Sequence, residues 1–309
     1  MSKIVIVGAG AVGTTFSYTL QISGLVTEMV LIDVNKEKAE GEVMDLSHGL
    51  FFTPPVDIKT GDYSECKDAA IIVITAGAKQ RPNESRLNLV DRNIAISRGI
   101  IDEIKRYTTD AIILMVTNPV DILTYMVSER FGYPKDKVIG SGTVLDTARF
   151  RYFLSANFGL DSRNVHAYIF GEHGDSEVPI WSLVNIGGIS IEEHCRHFGH
   201  QCSKEIFEEI ASKVKDSAYH IIEAKGATNF AVSQALLKIC QAIIRDEKSI
   251  LTVSTLLEGE YGIKDVALSI PCIIGKEGVK KRLQPTISTK ERELLISSAN
   301  SLKEIIVKL

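Results

Sequence analysis

Four short apolar runs, Ile4 to Val7, Met29 to Ile32, Ala70 to Thr75 and Ile112 to Val116, punctuate the first part of the chain without apolar and polar alternation. Continuous, β-branched-rich runs of this length predict parallel strands covered on both faces. Between them, Ala11 to Ser23 and Leu87 to Tyr107 carry apolar positions at helical spacing over helical length. The order predicts repeated β-α units in a doubly wound parallel sheet over residues 1–140, an architecture suited to nucleotides. After Gly140-Ser141-Gly142-Thr143 the texture changes to longer amphipathic stretches, Ile206 to Lys225 and Val232 to Asp246, with short strands near Val165 to Phe170 and Ile270 to Ile274. Residues 141–309 are therefore expected to form a second, mixed α+β domain. No fixed-period repeat or low-complexity linker separates the halves, so they are expected to pack tightly.

Composition narrows the function classes. The 309 residues suffice for one large or two adjoining domains, and 45% hydrophobic with 24% charged residues describes an ordinary soluble globular protein. A formal net charge of -4 gives no basic excess for nucleic acid or anionic membrane surfaces, which leaves a small-molecule substrate. The longest apolar runs are too short to span a bilayer, and Met1-Ser2-Lys3 leads directly into the first strand without a signal or transit pattern. Five scattered cysteines, an odd number, do not form a secreted disulfide framework; reduced thiols and a cytoplasmic location are expected.

The first motif is Gly8-Ala9-Gly10-Ala11-Val12-Gly13, between the first strand and a helix, with Asp33 ending the second strand 20 residues beyond Gly13. Gly8 allows the tight turn, Gly10 lets the backbone approach a pyrophosphate at the positive end of the helix, and Gly13 lets helix pack on strand. Asp33 is placed to accept hydrogen bonds from an adenosine ribose. A carboxylate there repels a 2′-phosphate, and no arginine follows in Val34-Asn35, so the pattern favours NAD over NADP.

Three further clusters carry candidate chemistry. His173, in Gly171-Glu172-His173-Gly174-Asp175, follows an apolar strand; histidine suits reversible proton transfer near neutral pH, and reduction of a carbonyl by hydride leaves an alkoxide that needs a proton. Asp146 and Arg149 lie three apart, on one helix face: one is suited to orient His173, the other to grip a carboxylate bidentately, although an intrahelical ion pair explains the same spacing. Gln80 to Arg86 follows the strand ending at Thr75, at the carboxyl end where open α/β sheets bind ligands; as a lid it would bring Arg86 onto a substrate carbonyl, and otherwise it is a solvated charged loop. Asn118, in Thr117-Asn118-Pro119-Val120-Asp121, either faces substrate or forms an Asn-Pro turn.

Taken in order, the glycine-rich turn, the Gln80 to Arg86 loop, TNPVD, LDTARFR and GEHGD resemble the L-lactate and L-malate dehydrogenase family from end to end. The resemblance implies a Rossmann NAD-binding domain followed by a substrate domain, His173 as general acid and base, Asp146 as its partner, Arg149 as the carboxylate clamp and Arg86 as the residue polarising the carbonyl. It adds Asn118 and Thr228 as substrate contacts, and Val12, Lys38, Tyr63, Gly77, Ala78, Val116, Asn118 and Ser141 as NAD contacts, each with an ordinary packing or loop explanation beside it. Gln80 stands where malate enzymes carry arginine. Leaving the second carboxylate of oxaloacetate unpaired in a closed site costs roughly 2 to 5 kcal/mol, so the resemblance points to the lactate branch, reducing pyruvate to L-lactate as the last step of fermentative glycolysis. The alternative is a malate or other L-2-hydroxyacid dehydrogenase. Asn83 replaces the family's usual glycine in the loop, and Arg81, one position from Gln80, offers a second reader of a dicarboxylate.

The resemblance further implies a homotetramer of bacterial type. Arg151 and His166 stand where sugar-activated bacterial members bind fructose 1,6-bisphosphate; as ordinary residues they would be a helix-surface arginine and a partly buried histidine. One cluster, His194-Cys195-Arg196-His197-Phe198-Gly199-His200-Gln201-Cys202, concentrates metal-ligand types, but its spacing matches no zinc pattern, so a solvated loop entering a helix is expected and no metal. A redox-silent NAD-binding or structural protein is the rival outside enzymes, and it leaves His173, Asp146, Arg149 and Arg86 together without a reason.

Overall fold

The computed structural model describes residues 2–78, 86–198 and 202–309. Among these, β1 (Lys3–Val7), β2 (Glu28–Ile32), β3 (Asp57–Thr60), β4 (Ile71–Ile74), β5 (Ile112–Met115) and β6 (Val138–Gly140) run parallel in the order β3-β2-β1-β4-β5-β6. The direction of winding reverses between β1 and β4, where a crevice opens at the carboxyl ends of the strands. Every residue of β1, β4 and β5 is buried, as continuous apolar runs require. The connecting helices are α1 (Ala11–Ser23), α2 (Lys36–His48), α3 (Arg86–Lys105) and the short α4 (Val120–Tyr125). α2 carries only a narrow apolar stripe, Ala39, Val43 and Leu46, of which Ala39 alone is fully buried.

The second half adds α5 (Val144–Phe158), β7 (Val165–His166), β8 (Ile169–Phe170), β9 (Val178–Pro179), β10 (Asn185–Ile186), β11 (Ile189–Ser190), α6 (Ile191–Phe198), α7 (Lys204–Lys225) and α8 (Phe230–Ile244). β12 (Ser249–Glu258), β13 (Lys264–Gly275) and β14 (Gly278–Arg282) follow, and α9 (Thr289–Ile306) closes the chain behind a capping box of Ser288 and Glu291. β12 pairs antiparallel with β6 through Ser254 and Gly140, so one nine-stranded sheet runs through both halves. The main apolar core follows this sheet across both halves, while Phe150, Leu154, Phe158, Ile210 and Val214 belong to a smaller core under α5 and α7.

Three expectations need correction. Cys195 and Cys202 form a disulfide, their Cα atoms 5.9 Å apart, so reduced thiols hold only for the buried Cys66, Cys240 and Cys272. The first part of the metal-ligand-rich stretch is the amphipathic helix α6, not a solvated loop: His194 is buried with its ring edge-on to Phe158, while Arg196 and His197 are exposed. His166 is exposed, not partly buried, and Arg151 is held down, its Nε donating to Ala167 O and its guanidinium lying over the Tyr168 ring. No helix among the described residues is long and apolar enough to cross a membrane.

Candidate active site

The glycine turn has the geometry its sequence demands. Gly8 adopts φ +115°, and a Cβ on it would stand 2.6 Å from the backbone of Ala76; a Cβ on Gly13 would stand 1.9 Å from Gly8 O. These two glycines therefore let β1, α1 and the end of β4 approach closely. A Cβ on Gly10 would meet nothing within 4 Å, so the backbone at the start of α1 faces open space. The first turn of α1 carries no acidic side chain, leaving its positive end uncompensated. Asp33 closes the turn from β2: Oδ2 accepts from Ala9 N at 2.6 Å and Oδ1 from Asn35 N at 2.8 Å. Each oxygen retains a lone pair for a ribose hydroxyl, so the residues present fit a dinucleotide.

The proton-transfer cluster assembles from four separated segments. Asp146, in the first turn of α5, is buried, and its carboxylate divides between two cations: Oδ2 meets His173 Nδ1 at 2.6 Å and Oδ1 accepts from Arg149 Nη1 at 2.8 Å. The first turn of α5 is fixed by Thr143, whose hydroxyl donates to Ile169 O at 2.6 Å, and by Thr147, whose hydroxyl accepts from Ile169 N at 3.0 Å. Gly171, at φ +93°, pairs with Ser269 of β13 and turns the chain so that His173 faces the cavity. His173 N then donates to Asp121 Oδ2 at 2.7 Å, and Ser254 Oγ donates to Asp121 Oδ1 at 2.5 Å. Both backbone and ring of His173 are thus held by carboxylates.

The electrostatics follow. Burial works against a charged imidazole, but the Asp146 carboxylate outweighs it and raises His173 to about 9, so the ring is a cation at neutral pH. Burial likewise opposes an ionised Asp146, and the His173 and Arg149 cations reverse that and hold it below the ordinary carboxylate range. Burial dominates at Asp121, which is raised to about 6 despite its donors.

Two adjoining cavities meet at Asn118, Arg149 and His173. One, of about 250 Å³, takes in Asp146 and reaches α7. The other, of about 140 Å³, is lined by Val12, Val116, Ser141 and Thr228 and leads back to the glycine turn. The structure therefore brings together Val12, Val116, Asn118, Ser141, Asp146, Arg149, His173 and Thr228. Gly77 and Ala78 stand at the end of β4, where Ala78 N donates to Asn93 Oδ1 at 2.7 Å. Lys38 lies in the first turn of α2 beyond Asp33, its N–H capped by Asn35, and Tyr63 is half-buried after β3. These last two, with Arg151 and His166, line neither cavity. Gln80, Arg81, Asn83 and Glu84 lie outside the described residues, as does the side chain of Arg86, whose backbone begins α3.

Sequence reasoning missed three residues. Asp121 ends the very segment that drew attention to Asn118, yet nothing local ties it to a residue 52 positions away. Asn93, buried in α3, holds Ala78 N and donates to Asn118 O at 2.8 Å, joining the loops after β4 and β5. Glu177, four residues beyond His173, is buried on the wall of the larger cavity.

Comparisons with known proteins identify the family of the chain. Residues 2–140 match the family model described as lactate/malate dehydrogenase, NAD binding domain, and residues 143–309 match that family's alpha/beta C-terminal domain. The chain is 54% identical over 307 residues to an L-lactate dehydrogenase of Acetivibrio thermocellus, covering 99% of this chain and 96% of that one. It is 51% identical to L-lactate dehydrogenase 1 of Clostridium acetobutylicum, covering 98% and 97%. Among solved structures, the minor L-lactate dehydrogenase of Enterococcus mundtii in its ligands-bound form superimposes with a TM-score of 0.96 at 40% identity, covering 100% of this chain and 98% of that one. With both halves matched and relatives covered along nearly their full length, the chain belongs to the lactate/malate dehydrogenase family.

Proposed function

We propose that this chain is an NAD-dependent L-lactate dehydrogenase, interconverting pyruvate and L-lactate. The observation that carries the reading is the single buried carboxylate, Asp146, holding a proton-bearing imidazole and a guanidinium side by side on a cavity continuous with the glycine turn. Residues 1–140 hold the nucleotide: Gly8, Gly10 and Gly13 seat the pyrophosphate and Asp33 the adenosine ribose, with Val12, Lys38, Tyr63, Gly77, Ala78, Val116, Asn118 and Ser141 as the remaining contacts. Residues 141–309 hold the substrate. Bound NADH supplies the hydride.

The chain's own groups do the rest. Arg149 pairs with Asp146 through Nη1, and its remaining N–H donors are available to fork onto the substrate carboxylate. His173 receives its fixed orientation through Nδ1, so Nε2 carries the proton that the developing alkoxide takes. Asn118 and Thr228, which line the smaller cavity, border the reacting centre, and Arg86, at the start of α3, polarises the carbonyl. In lactate oxidation the neutral imidazole takes the hydroxyl proton back.

The reading is tested by initial rates on pyruvate, oxaloacetate and 2-ketoisocaproate with NADH. Pyruvate is expected to win, because Gln80 supplies no charge for a second carboxylate, and faster oxaloacetate reduction overturns the assignment. Gln80→Arg should move preference toward oxaloacetate by at least tenfold, about 1.4 kcal/mol. The finer parts are a cytoplasmic enzyme ending fermentative glycolysis, a homotetramer, and activation by fructose 1,6-bisphosphate at Arg151 and His166. The exposed side chains of Val34, Met44, Phe51 and Phe52 support self-association, which sedimentation velocity tests. Arg151 is pinned beside the residue after the exposed His166, a basic pair for a phosphate; superimposed pyruvate saturation curves with and without the sugar remove this part.

A further inference from the structure

Glu177 is the one acidic side chain of the active-site loop whose carboxyl oxygen is both buried and without a hydrogen-bond partner among the described residues. Its residue is 7% exposed, its N–H donates to Gly174 O at 3.2 Å, and it lines the larger cavity with His173 and Arg149. The neighbouring acids are accommodated differently. Asp146 and Asp121 have their hydrogen bonds, Asp175 accepts from Tyr219 Oη at 2.8 Å, and Glu172 accepts from Ser176 Oγ at 2.5 Å. A buried oxygen lacking any donor is a poor seat for a full negative charge.

We propose that Glu177 is a positioning residue for proton transfer: a buried carboxyl on the wall of the His173 cavity, with an oxygen lacking a donor among the described residues, whose charge helps decide how firmly His173 keeps its proton. This rests on the reading of His173 as the proton donor. The groups that share the cavity with Glu177 set the balance. From α5 come the Asp146 carboxylate and the Arg149 guanidinium, from α4 Asp121, from its own loop Glu172, His173 and Asp175, and from α7 Lys215 and Tyr219. Burial acts first on Glu177 and the Asp146 charge adds to it, together pushing its carboxyl up to about 8, against the cations His173, Lys215 and Arg149. The Glu177 carboxylate in turn favours the imidazolium. The two groups are coupled: each proton lost from Glu177 makes the proton on His173 harder to lose.

The proton carries chemical consequence. A second fixed carboxylate beside the cavity would repel the incoming carboxylate of a 2-oxo acid, whereas a neutral acid does not, so Glu177 adds acid-holding power to His173 only where alkaline pH would otherwise strip it. Relative to a side chain that never ionises, the alkaline limit of pyruvate reduction moves upward, at the expense of a weaker grip on substrate in the same pH range.

The test compares the parent with Glu177→Gln, which keeps shape without charge, and with Glu177→Met, which also removes the buried polar group and so guards against a folding defect in the first variant. In both, the alkaline limb of kcat/KM for pyruvate reduction is expected to fall by about one pH unit. KM at pH above that limb should be no higher than the parent's. Histidine labelled in the ring and followed by NMR, which needs no turnover, should show His173 titrating lower by the same amount. A limb and a ring titration that superimpose on the parent's, or that move to higher pH, overturn the proposal. A parent enzyme that does not reduce pyruvate overturns the functional reading instead, and the NMR titration then still decides whether Glu177 supports the His173 proton.

Discussion

The two ends of the active-site crevice are built on opposite plans. At the nucleotide end the turn is contiguous, Gly8 to Gly13, and what matters is backbone: missing Cβ atoms, a helix start and N–H groups, with the Asp33 carboxylate and the Thr75 hydroxyl recruited to hold it. At the proton-transfer end almost everything is side chain, drawn from α4, α5, the loop after β8 and β12, over sequence separations from 3 to 133. A backbone-built site fails by steric exclusion, and a side-chain-built site fails by losing one member of a charge relay. The two should therefore break independently, one in cofactor affinity and the other in turnover.

The largest expected effect sits at the side-chain end. His173→Ala should lower kcat/KM for pyruvate by about 10³-fold or more while the Kd for NADH stays within about twofold, measured by steady-state rates and by fluorescence titration. A parallel loss of NADH binding would show that the two ends are not separable. Gly13→Ala should give the converse: the added Cβ lies 1.9 Å from Gly8 O, so the turn must open, at a cost of about 1 to 3 kcal/mol in stability and more than tenfold in NADH affinity. Asp33→Ala is milder, because it releases two backbone N–H groups into a partly exposed site; NADH affinity should weaken by about five- to tenfold, near 1 kcal/mol.

The smallest effect is a shape. Since the Asp146 carboxylate raises His173 to about 9 against its burial, pyruvate reduction should be flat through neutral pH and decline only above about 9. Lactate oxidation, which needs the neutral ring, should rise over the same range. The sign for stability runs the same way. A histidine raised in the folded state contributes fully below its unfolded value of about 6.5, and that contribution is lost as pH rises through about 9. Denaturant melts between pH 6 and 10 measure it, and Asp146→Asn should flatten the dependence.

Legibility in the sequence tracked the same divide. The helix at Ala11–Ser23 and the strands β1, β2, β4 and β5 were readable within a residue or two, because burial on both faces leaves an unbroken apolar run. The glycine turn was readable from its spacing: Gly8 and Gly13 answer steric demands, and Gly10 leaves the start of α1 open. β12, β14 and α9 went unread, and the long β13 was seen only in part. β12, β13 and β14 pair as successive antiparallel hairpins, but buried Thr252, Ser254, Thr255 and Ser269 interrupt their apolar residues, and α9 carried only the quiet signal of Ser288 and Glu291. His173, Asp146 and Arg149 were singled out as a set from residue types, with an intrahelical ion pair left open for Asp146 and Arg149. In the fold that ion pair exists and serves the site, since the second oxygen of Asp146 goes to His173.

By itself, then, the sequence determined what depends on neighbours along the chain: the parallel strands, the nucleotide turn, the preference for a cofactor without a 2′-phosphate, and the residue types proposed for proton transfer. Tertiary structure alone decided that one sheet spans both halves through Ser254 and Gly140, that Asp121 and Asn93 fasten the loops around the cavity, that Cys195 reaches Cys202, and that Glu177 is buried with an unpaired oxygen. The physical reason is range. Backbone conformation is set by sterics within a few residues, whereas burial and charge pairing depend on which distant segments the folded core brings within about 4 Å of one another.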